Sequence, residues 1–471
     1  MNQSLRQSAR TSVITYRTLY FAALIGISML SGILLFVIPP ILVFGSVFGI
    51  FLCLFILASP FFGLLIYFAT FVVQPGALFP ALSVLHVERI FGILVLLSML
   101  LNMKFKKGQL NFVHNPINYV LLAFLVVMGL SVFTSFWPIQ SIETIIEFAK
   151  ILIFYFLISN LLTDQKKLKI FIWEYILLTG WVAISSLEGY FTGKIVFAQG
   201  IERAQGITGA DPNTLAISLC LTIPFLYFAL LAEKSKFLKV LNIAVLLASL
   251  ATIVLTGSRG AFLGLLSIVF LIWTRAKRKF ALLVVSLLAL VIIWIVMPEQ
   301  YKGRYRTILT ATSGEVDESS QGRLNAWKAG MRMFFDRPIL GVGAGAFGTA
   351  HAMGYSPEGR SWLKAHSTYV QLLAELGILG TIIFVILIYN IIRQNIKVEK
   401  KILSQIKARD WNYYLSMAML TSLGCLFIIG IFGHSLYRFN WYFIAALTVV
   451  LTNLSRKMAG QDEKQVSPQV S

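Results

Sequence analysis

The sequence has little charge for its length. Only 13% of its 471 residues are charged, 58% are hydrophobic, and the mean hydropathy is +0.80. Because soluble globular domains carry about 25% charged residues, this composition excludes a soluble fold. The apolar stretches also lack the alternating pattern of strands in a membrane barrel, which leaves membrane-spanning helices.

Cysteines are few and scattered. The three, Cys53, Cys220 and Cys425, lie far apart inside apolar stretches. No spacing suggests a disulfide framework or a thiolate metal site. The sequence also has no convincing internal repeat.

Acidic residues are half as numerous as basic ones, 20 against 40, which gives a net charge of +20. Such an excess often indicates nucleic-acid binding. Here the basic residues are spread over the connections between apolar stretches, as in membrane proteins, where Lys and Arg set the orientation. No soluble basic domain is present, so we expect no nucleic-acid partner.

The apolar stretches predict an all-α, polytopic integral membrane protein with about 12–14 transmembrane helices. Basic residues precede the first stretch, which is long and lacks a cleavage pattern, so it predicts an uncleaved helix. The predicted spans are 19–38, 41–58, 61–73, 90–101, 118–134, 144–161, 171–191, 214–232, 239–255, 261–274, 280–297, 369–392, 412–432 and 441–454.

The distribution of basic residues predicts the orientation. With a cytoplasmic N-terminus, about 25 of the 40 lie on the cytoplasmic side and about 14 outside. Both termini are then cytoplasmic, and a large polar loop faces outward. We expect a multi-pass protein of the bacterial cytoplasmic (inner) membrane with an extracytoplasmic active site.

Four regions follow from this organisation: a transmembrane bundle over 1–297, the large extracytoplasmic loop with short amphipathic helices over 298–368, C-terminal transmembrane helices over 369–456, and a cytoplasmic tail over 457–471. Long loops on rigid scaffolds carry function disproportionately. The loop is therefore the first place to look for chemistry or recognition.

The external basic residues are mainly Arg, whereas Lys dominates inside. Since guanidinium groups match phosphate oxygens, external Arg residues beside the bilayer suggest a phosphorylated, lipid-anchored ligand. Arg259 falls in a tight turn between two spans, and Arg203 in a polar run before another. Arg323 begins an amphipathic stretch that predicts a helix on the membrane surface. The alternatives are pairing with acidic side chains, contact with lipid headgroups, or snorkelling.

His366 is the strongest candidate for catalysis. Thr368 and Gln371 fit a capping box, which predicts a helix that begins here and continues as a span. A helix N-terminus disfavours imidazolium, and a neutral histidine beside an anionic donor suits a general base for a hydroxyl. Alternatively, His366 is only an interfacial polar cap.

Three further features carry weaker predictions. The run 343–348 has the spacing of a dinucleotide fingerprint, but no βαβ unit surrounds it, so its glycines predict a tight turn against a ligand or another helix. The acidic run 315–318 resembles a metal-binding motif but stands alone in a Ser/Gly-rich stretch. Glu143, Glu147 and Lys150 share neighbouring helical positions and are expected to pair.

Residues 200–390 resemble the O-antigen ligase and O-antigen polymerase superfamily. The motifs that carry the resemblance are Arg203 with Gly206 and Pro212-Asn213, Ser258-Arg259-Gly260, Gly322-Arg323-Leu324-Asn325-Ala326-Trp327, Pro338-Ile339-Leu340-Gly341-Val342-Gly343, and His366-Ser367 through Glu375-Leu376-Gly377. Each motif is degenerate, and their order gives the specificity.

The resemblance implies a metal-independent membrane glycosyltransferase without cofactors. It would move or polymerise a saccharide from undecaprenyl diphosphate onto a hydroxyl of a glycan, lipid or protein acceptor. The enzyme would be surrounded by membrane lipid, and polysaccharide-assembly proteins are possible partners. His366 and Arg259 would be catalytic, and Arg203, Arg259 and Arg323 would bind the diphosphate. The alternative is a polysaccharide or lipid-linked glycan transporter or flippase without chemistry. Such proteins typically have paired intramembrane charges and internal repeats, and they need no long loop. A third hypothesis is an assembly scaffold whose loop only binds.

Overall fold

The computed structural model describes residues 40–79, 86–107, 112–198, 200–207, 209–310, 318–356, 361–405 and 410–466. Over these ranges the chain is a helical bundle with one short hairpin. The all-α, polytopic class expected from the sequence is confirmed. The predicted span 19–38, the acidic residues 315–317 and the end of the tail lie outside the described residues.

The described helices are numbered in chain order. They are α1 Pro40–Ala58, α2 Pro60–Val73, α3 Pro75–Leu78, α4 Val87–Lys107, α5 Pro116–Ser131, α6 Pro138–Leu161, α7 Gln165–Phe191, α8 Pro212–Ala232, α9 Lys236–Leu255, α10 Arg259–Arg275, α11 Lys279–Val296, α12 Glu299–Thr310, α13 Glu318–Asp336, α14 Phe347–Ala350, α15 Thr368–Gln405, α16 Trp411–Phe432 and α17 Phe439–Val466.

Six of these helices are long and apolar enough to cross a membrane. They are α5 with the 3₁₀ turn that extends it, α7, α8, α9, α15 and α16. Three shorter apolar helices, Gly45–Ala58, Pro60–Val73 and Lys279–Ile295, coincide with further predicted spans. The total of 12–14 spans stays a prediction.

Helix starts follow from local sequence. Pro occupies an early position in α2, α5, α6 and α8, where its missing N–H costs nothing. Side-chain oxygens also cap the N-termini of some helices. Asn115 accepts a hydrogen bond from the Ile117 N–H at 3.0 Å at the start of α5, and Asp211 accepts one from the Thr214 N–H at 3.0 Å at the start of α8. These caps satisfy orphan donors at helix ends.

Helix α8 lies in the interior and packs against α7, α9, α10 and α16. Helix α15 forms a second centre, contacting α5, α13, α16 and α17. Between α7 and α8 the chain makes the antiparallel hairpin β1 (Ile195–Ala198) and β2 (Ile201–Ala204), which the sequence did not predict. The hairpin matters because β2 carries Arg203.

Helix α15 is broken at Gly377, whose φ of 60° and ψ of −156° are not helical. A Cβ there would lie 2.5 Å from the Ile339 carbonyl oxygen, so only Gly fits. The break frees backbone groups that the large loop satisfies: the N–H of Val342 donates to the Ala374 carbonyl at 2.8 Å, and that of Ile378 donates to the Pro338 carbonyl at 2.8 Å. The loop is thereby fixed to a membrane helix.

Candidate active site

One cavity of about 1850 Å³ gathers most of the candidate residues. Its polar end is lined by the turn before α8, the start of α10, the first part of α13, the segment before α15 and the turn between α16 and α17. Of the predicted site residues, Arg259, Arg323 and His366 line it and Arg203 does not. Three residues distant in sequence therefore share one space.

His366 lies half-buried directly before α15, with a φ of +50°. Non-glycine residues adopt this left-handed conformation uncommonly, and it is a form of strain often found at functional sites. Burial lowers the pKa of His366, and the positive charges of Arg323 and Lys364 lower it further, against an opposing effect of Asp211. A neutral imidazole, expected from the sequence, is thus favoured mainly by burial.

The predicted helix start after His366 is confirmed, but the predicted capping box is wrong. Ser367 takes the cap position, with its Oγ accepting a bond from the Val370 N–H at 3.5 Å. The Thr368 hydroxyl instead donates to the Gly433 carbonyl at 2.7 Å, and the Ser435 N–H donates to it at 3.0 Å. Tertiary partners have replaced the local ones.

His434 is a second histidine at the polar end, and sequence reasoning missed it. Its ring centroid lies 5.7 Å from that of His366, and the planes cross at 83° in an edge-to-face arrangement. Burial lowers the pKa of His434 to about 3, helped by the positive charges of Arg438 and Lys364. Both histidines are therefore favoured in the neutral form.

The polar end is strongly cationic. Arg259, Arg323, Lys364 and Arg438 all line the cavity, and among the described residues Asp211 supplies the one carboxylate at this end. Arg438 donates to the Thr214 hydroxyl at 3.1 Å, and burial lowers its pKa. Several guanidinium groups around one space suit an anion with several oxygens, such as a diphosphate.

Arg203 is only 2% exposed and bonds within the protein. Its Nε donates to the Thr256 carbonyl at 2.6 Å and its Nη2 donates to Asn213 Oδ1 at 2.9 Å. Burial is the main cause that lowers its pKa. Arg203 thus joins β2 to the end of α9 and the start of α8. Arg259 follows three residues after Thr256.

The glycine-rich run of the large loop is held by Glu375, a carboxylate only 2% exposed. Glu375 accepts bonds from the N–H groups of Gly345 at 2.9 Å and Phe347 at 3.3 Å. Gly345 has a φ of +73°, and a Cβ there would overlap the hydroxyl of Thr144 on α6. The predicted tight turn against a neighbouring helix is confirmed.

Away from the polar end the cavity becomes apolar and aromatic. The rings that line this part include Tyr67, Phe68, Phe71, Phe154, Phe439 and Phe443. A second charged group lies in the same cavity, formed by Glu88 and Arg89 on α4 and by the predicted ion pair of Glu147 with Lys150 on α6, which is confirmed. The cavity therefore combines a cationic end with a large apolar wall.

Metal binding has no support in the described parts of the chain. No group of three or more His, Cys, Asp or Glu side chains is arranged there to hold a metal ion. Most of the acidic run 315–318 falls outside these ranges, so the metal-independent character expected from the sequence stays a prediction.

Comparison with known families identifies the region that carries the site. Residues 244–385 match the family described as O-antigen ligase. Over these residues, which are less than half of the chain, the protein is similar to the O-antigen ligase domain. This domain includes Arg259, Arg323 and His366, whereas Arg203, His434 and Arg438 lie outside it. The match implies a membrane polysaccharide ligase or polymerase that uses lipid-linked glycans. A search of curated proteins gave no match.

Sequence reasoning missed His434, and it counted Arg438 among the external arginines without assigning it to the site. Both lie in the short connection between the predicted spans 412–432 and 441–454, which did not draw attention as a loop. The available signal was composition: a histidine and an arginine four residues apart in a turn predicted to be external.

Proposed function

We propose that the protein transfers or polymerises a saccharide from undecaprenyl diphosphate onto an acceptor hydroxyl at the extracytoplasmic face of the membrane. The observation that carries the proposal is the shared cavity, in which His366, Arg259 and Arg323 come together at a cationic end that continues into an apolar, aromatic wall. Such a cavity suits a ligand with a diphosphate and a long hydrocarbon chain.

The cationic residues would act on the leaving group. Breaking the bond between the sugar and the diphosphate leaves an additional negative charge on the lipid diphosphate. Fixed guanidinium groups stabilise such charge in a site with little water. We assign this role to Arg259 and Arg323, with Arg438 and Lys364 as further cations. Arg203 would act by positioning Arg259, because its guanidinium donates hydrogen bonds that hold the segment before Arg259.

His366 would activate the acceptor. Its lowered pKa keeps the imidazole neutral, so it can take a proton near neutral pH. The acceptor oxygen forms a bond to the anomeric carbon, the bond from that carbon to the diphosphate oxygen breaks, and the acceptor proton passes to His366. The lipid diphosphate leaves with the electron pair, and His366 later loses its proton to water.

A deletion strain complemented with wild-type, His366→Ala or Arg259→Ala protein tests the proposal. Lipid-linked and mature glycan are followed on gels, with expression checked. Matched controls are His86→Ala, an exposed histidine that also has a positive φ, and Arg393→Ala, an exposed arginine on α15. We expect both site variants to accumulate lipid-linked glycan outside the membrane and the controls to behave as wild type.

The same experiment separates the alternatives. If the site variants transfer only short glycan to its final acceptor, the wild-type protein is a polymerase. If they leave full-length glycan on the lipid, it is a ligase. Normal product from well-expressed His366→Ala protein would overturn the role of His366. Lipid-linked glycan retained on the cytoplasmic face would support a flippase instead. Unchanged transfer by purified protein in EDTA would support metal independence.

A further inference from the structure

The turn at 433–438, between α16 and α17, brings His434 to the site from outside the O-antigen ligase domain. This turn is held by two aromatic side chains of α17. The Trp441 indole donates to Ser435 Oγ at 3.2 Å, and the Tyr442 hydroxyl donates to the Leu436 carbonyl at 2.7 Å. Ser435 and Leu436 are buried. The position of His434 is therefore set by the core.

The turn is also joined to the segment that carries His366. Thr368, two residues after His366, bonds to both Gly433 and Ser435 through its hydroxyl. Gly433 and Ser435 flank His434 directly. Each histidine is thus within two residues of a three-centre hydrogen-bond junction that holds the two segments in register.

The contact between the His434 and His366 rings has a geometry that can hold the His366 ring in place. An edge-to-face pair with centroids between about 4.5 and 7 Å apart is attractive and directional, and the 5.7 Å and 83° here fall in that range. His366 needs support, because a non-glycine residue keeps a left-handed backbone only where the surrounding contacts hold it. The neutral state of His434 prevents it from repelling the proton that His366 would accept.

The geometry points to His434 as a positioning residue for His366: its ring fixes the plane of the His366 imidazole at the cationic end of the cavity. This inference rests on the proposed function. His434 is not assigned a proton transfer, and the property that matters is the flat ring, not its nitrogens.

Three substitutions separate the ring from its nitrogens. His434→Phe keeps an aromatic ring, His434→Leu keeps bulk without a ring, and His434→Ala removes both. Transfer from a radiolabelled lipid-linked glycan is measured with purified protein in lipid nanodiscs, with His366→Ala as the inactive reference. We expect Phe to stay within a few-fold of wild type and Ala to lower kcat by about 10–100-fold with little change in donor KM, since small misplacements of a catalytic group can cost about 100-fold.

The pH profile gives a readout that general loss of structure would not move. The groups that act on the His366 charge are Arg323 on α13, Lys364 in the loop, Asp211 before α8 and His434 itself. Opening the space beside His366 admits water, so the acid limb of kcat should move to higher pH in the Ala variant and stay in place in the Phe variant.

The outcomes are distinct. Wild-type kcat in both the Ala and Leu variants would overturn the inference, and so would a Phe variant as inactive as Ala, because a nitrogen would then be required. If Ala does not fold, the comparison of Phe with Leu decides. If instead wild-type protein is no more active than His366→Ala, the proposed function itself fails.

Discussion

The guanidinium of Arg203 donates a hydrogen bond to the carbonyl oxygen of Thr256 at 2.6 Å, across 53 residues of sequence. This contact fixes the end of α9 just before the tight turn that leads to Arg259. An arginine with a sequence signature for phosphate binding thus lies behind the cavity wall and supports a residue that lines it.

Arg203→Ala should reduce glycan transfer through misplacement of Arg259. It removes the donor to a buried carbonyl, which costs about 1–3 kcal/mol, so we also expect a lower melting temperature. Arg203→Lys should rescue only partly, because one ammonium cannot replace a planar fork. Arg332→Ala, at an exposed position on α13, is the control. Unchanged transfer and melting in Arg203→Ala would contradict the positioning role.

Arg259 and Arg438 are predicted to act on the same anion although they lie on different sides of the domain boundary. Each Ala variant should weaken donor binding, and a double-mutant cycle should show coupling because the two share a ligand. Binding of fluorescent undecaprenyl diphosphate to protein in nanodiscs measures the loss of affinity in each variant and the coupling between the two arginines. Strictly additive losses would argue that the two arginines contact different ligands.

The pH dependence of transfer should follow His366. Its lowered pKa means that the neutral, active form persists below the ordinary value of 6.5 and is lost as the pH falls through the lowered pKa. Removing a nearby positive charge in Lys364→Gln favours imidazolium and raises this pKa. The acid limb of the kcat profile should therefore move to higher pH. A limb that does not move, or moves to lower pH, would exclude His366 as the titrating group.

Glu375 is predicted to organise the glycine-rich run. Glu375→Ala leaves the buried N–H groups of Gly345 and Phe347 without their acceptor, at about 1–3 kcal/mol each. Glu375→Gln keeps one acceptor oxygen and should be milder. Thermal unfolding in detergent measures the order of stability, with Glu143→Ala, at an exposed position on α6, as a charge-matched control. Equal melting of the Ala and Gln variants would contradict a role based on acceptor bonds.

Gly345→Ala tests the close approach of the loop to α6. The new methyl would overlap the Thr144 hydroxyl and would also force a positive φ on an L-residue. We expect destabilisation of about 1–3 kcal/mol. Thr144→Ala in the same protein should recover the part due to overlap but not the part due to backbone strain. Full recovery, or none, would show that one cause acts alone.

The fold class and most helix positions could be predicted because apolar length is a local property. The helix predicted in the amphipathic stretch after Arg323 is likewise confirmed as part of α13, although Leu324 and Phe335 of its predicted apolar face are exposed. Its location on the membrane surface stays a prediction. The hairpin that carries Arg203 could not be predicted, since its short strands have no alternation strong enough to stand out.

The site was predicted in part. Arg259, Arg323 and His366 were identified by motif order, and the cavity brings them together. His434 was missed, and Arg438 was noted only as one of the external arginines, because their places in the site come from tertiary contacts, above all the Thr368 hydroxyl that bonds across 65 residues to Gly433. The predicted capping box was wrong for the same reason. The Thr368 hydroxyl, which suits a local cap, bonds instead to the distant Gly433.

The break in α15 at Gly377 bears on how such proteins can be recombined. Val342 and Gly343 donate backbone bonds to Ala374 and Glu375, so the loop and the first ten residues of α15 form one hydrogen-bonded unit. The region boundary predicted between 368 and 369 would cut through it. A chimera that exchanges only the loop would lose its anchor, whereas one that carries the chain from Pro338 through Ile378 would transplant the unit whole.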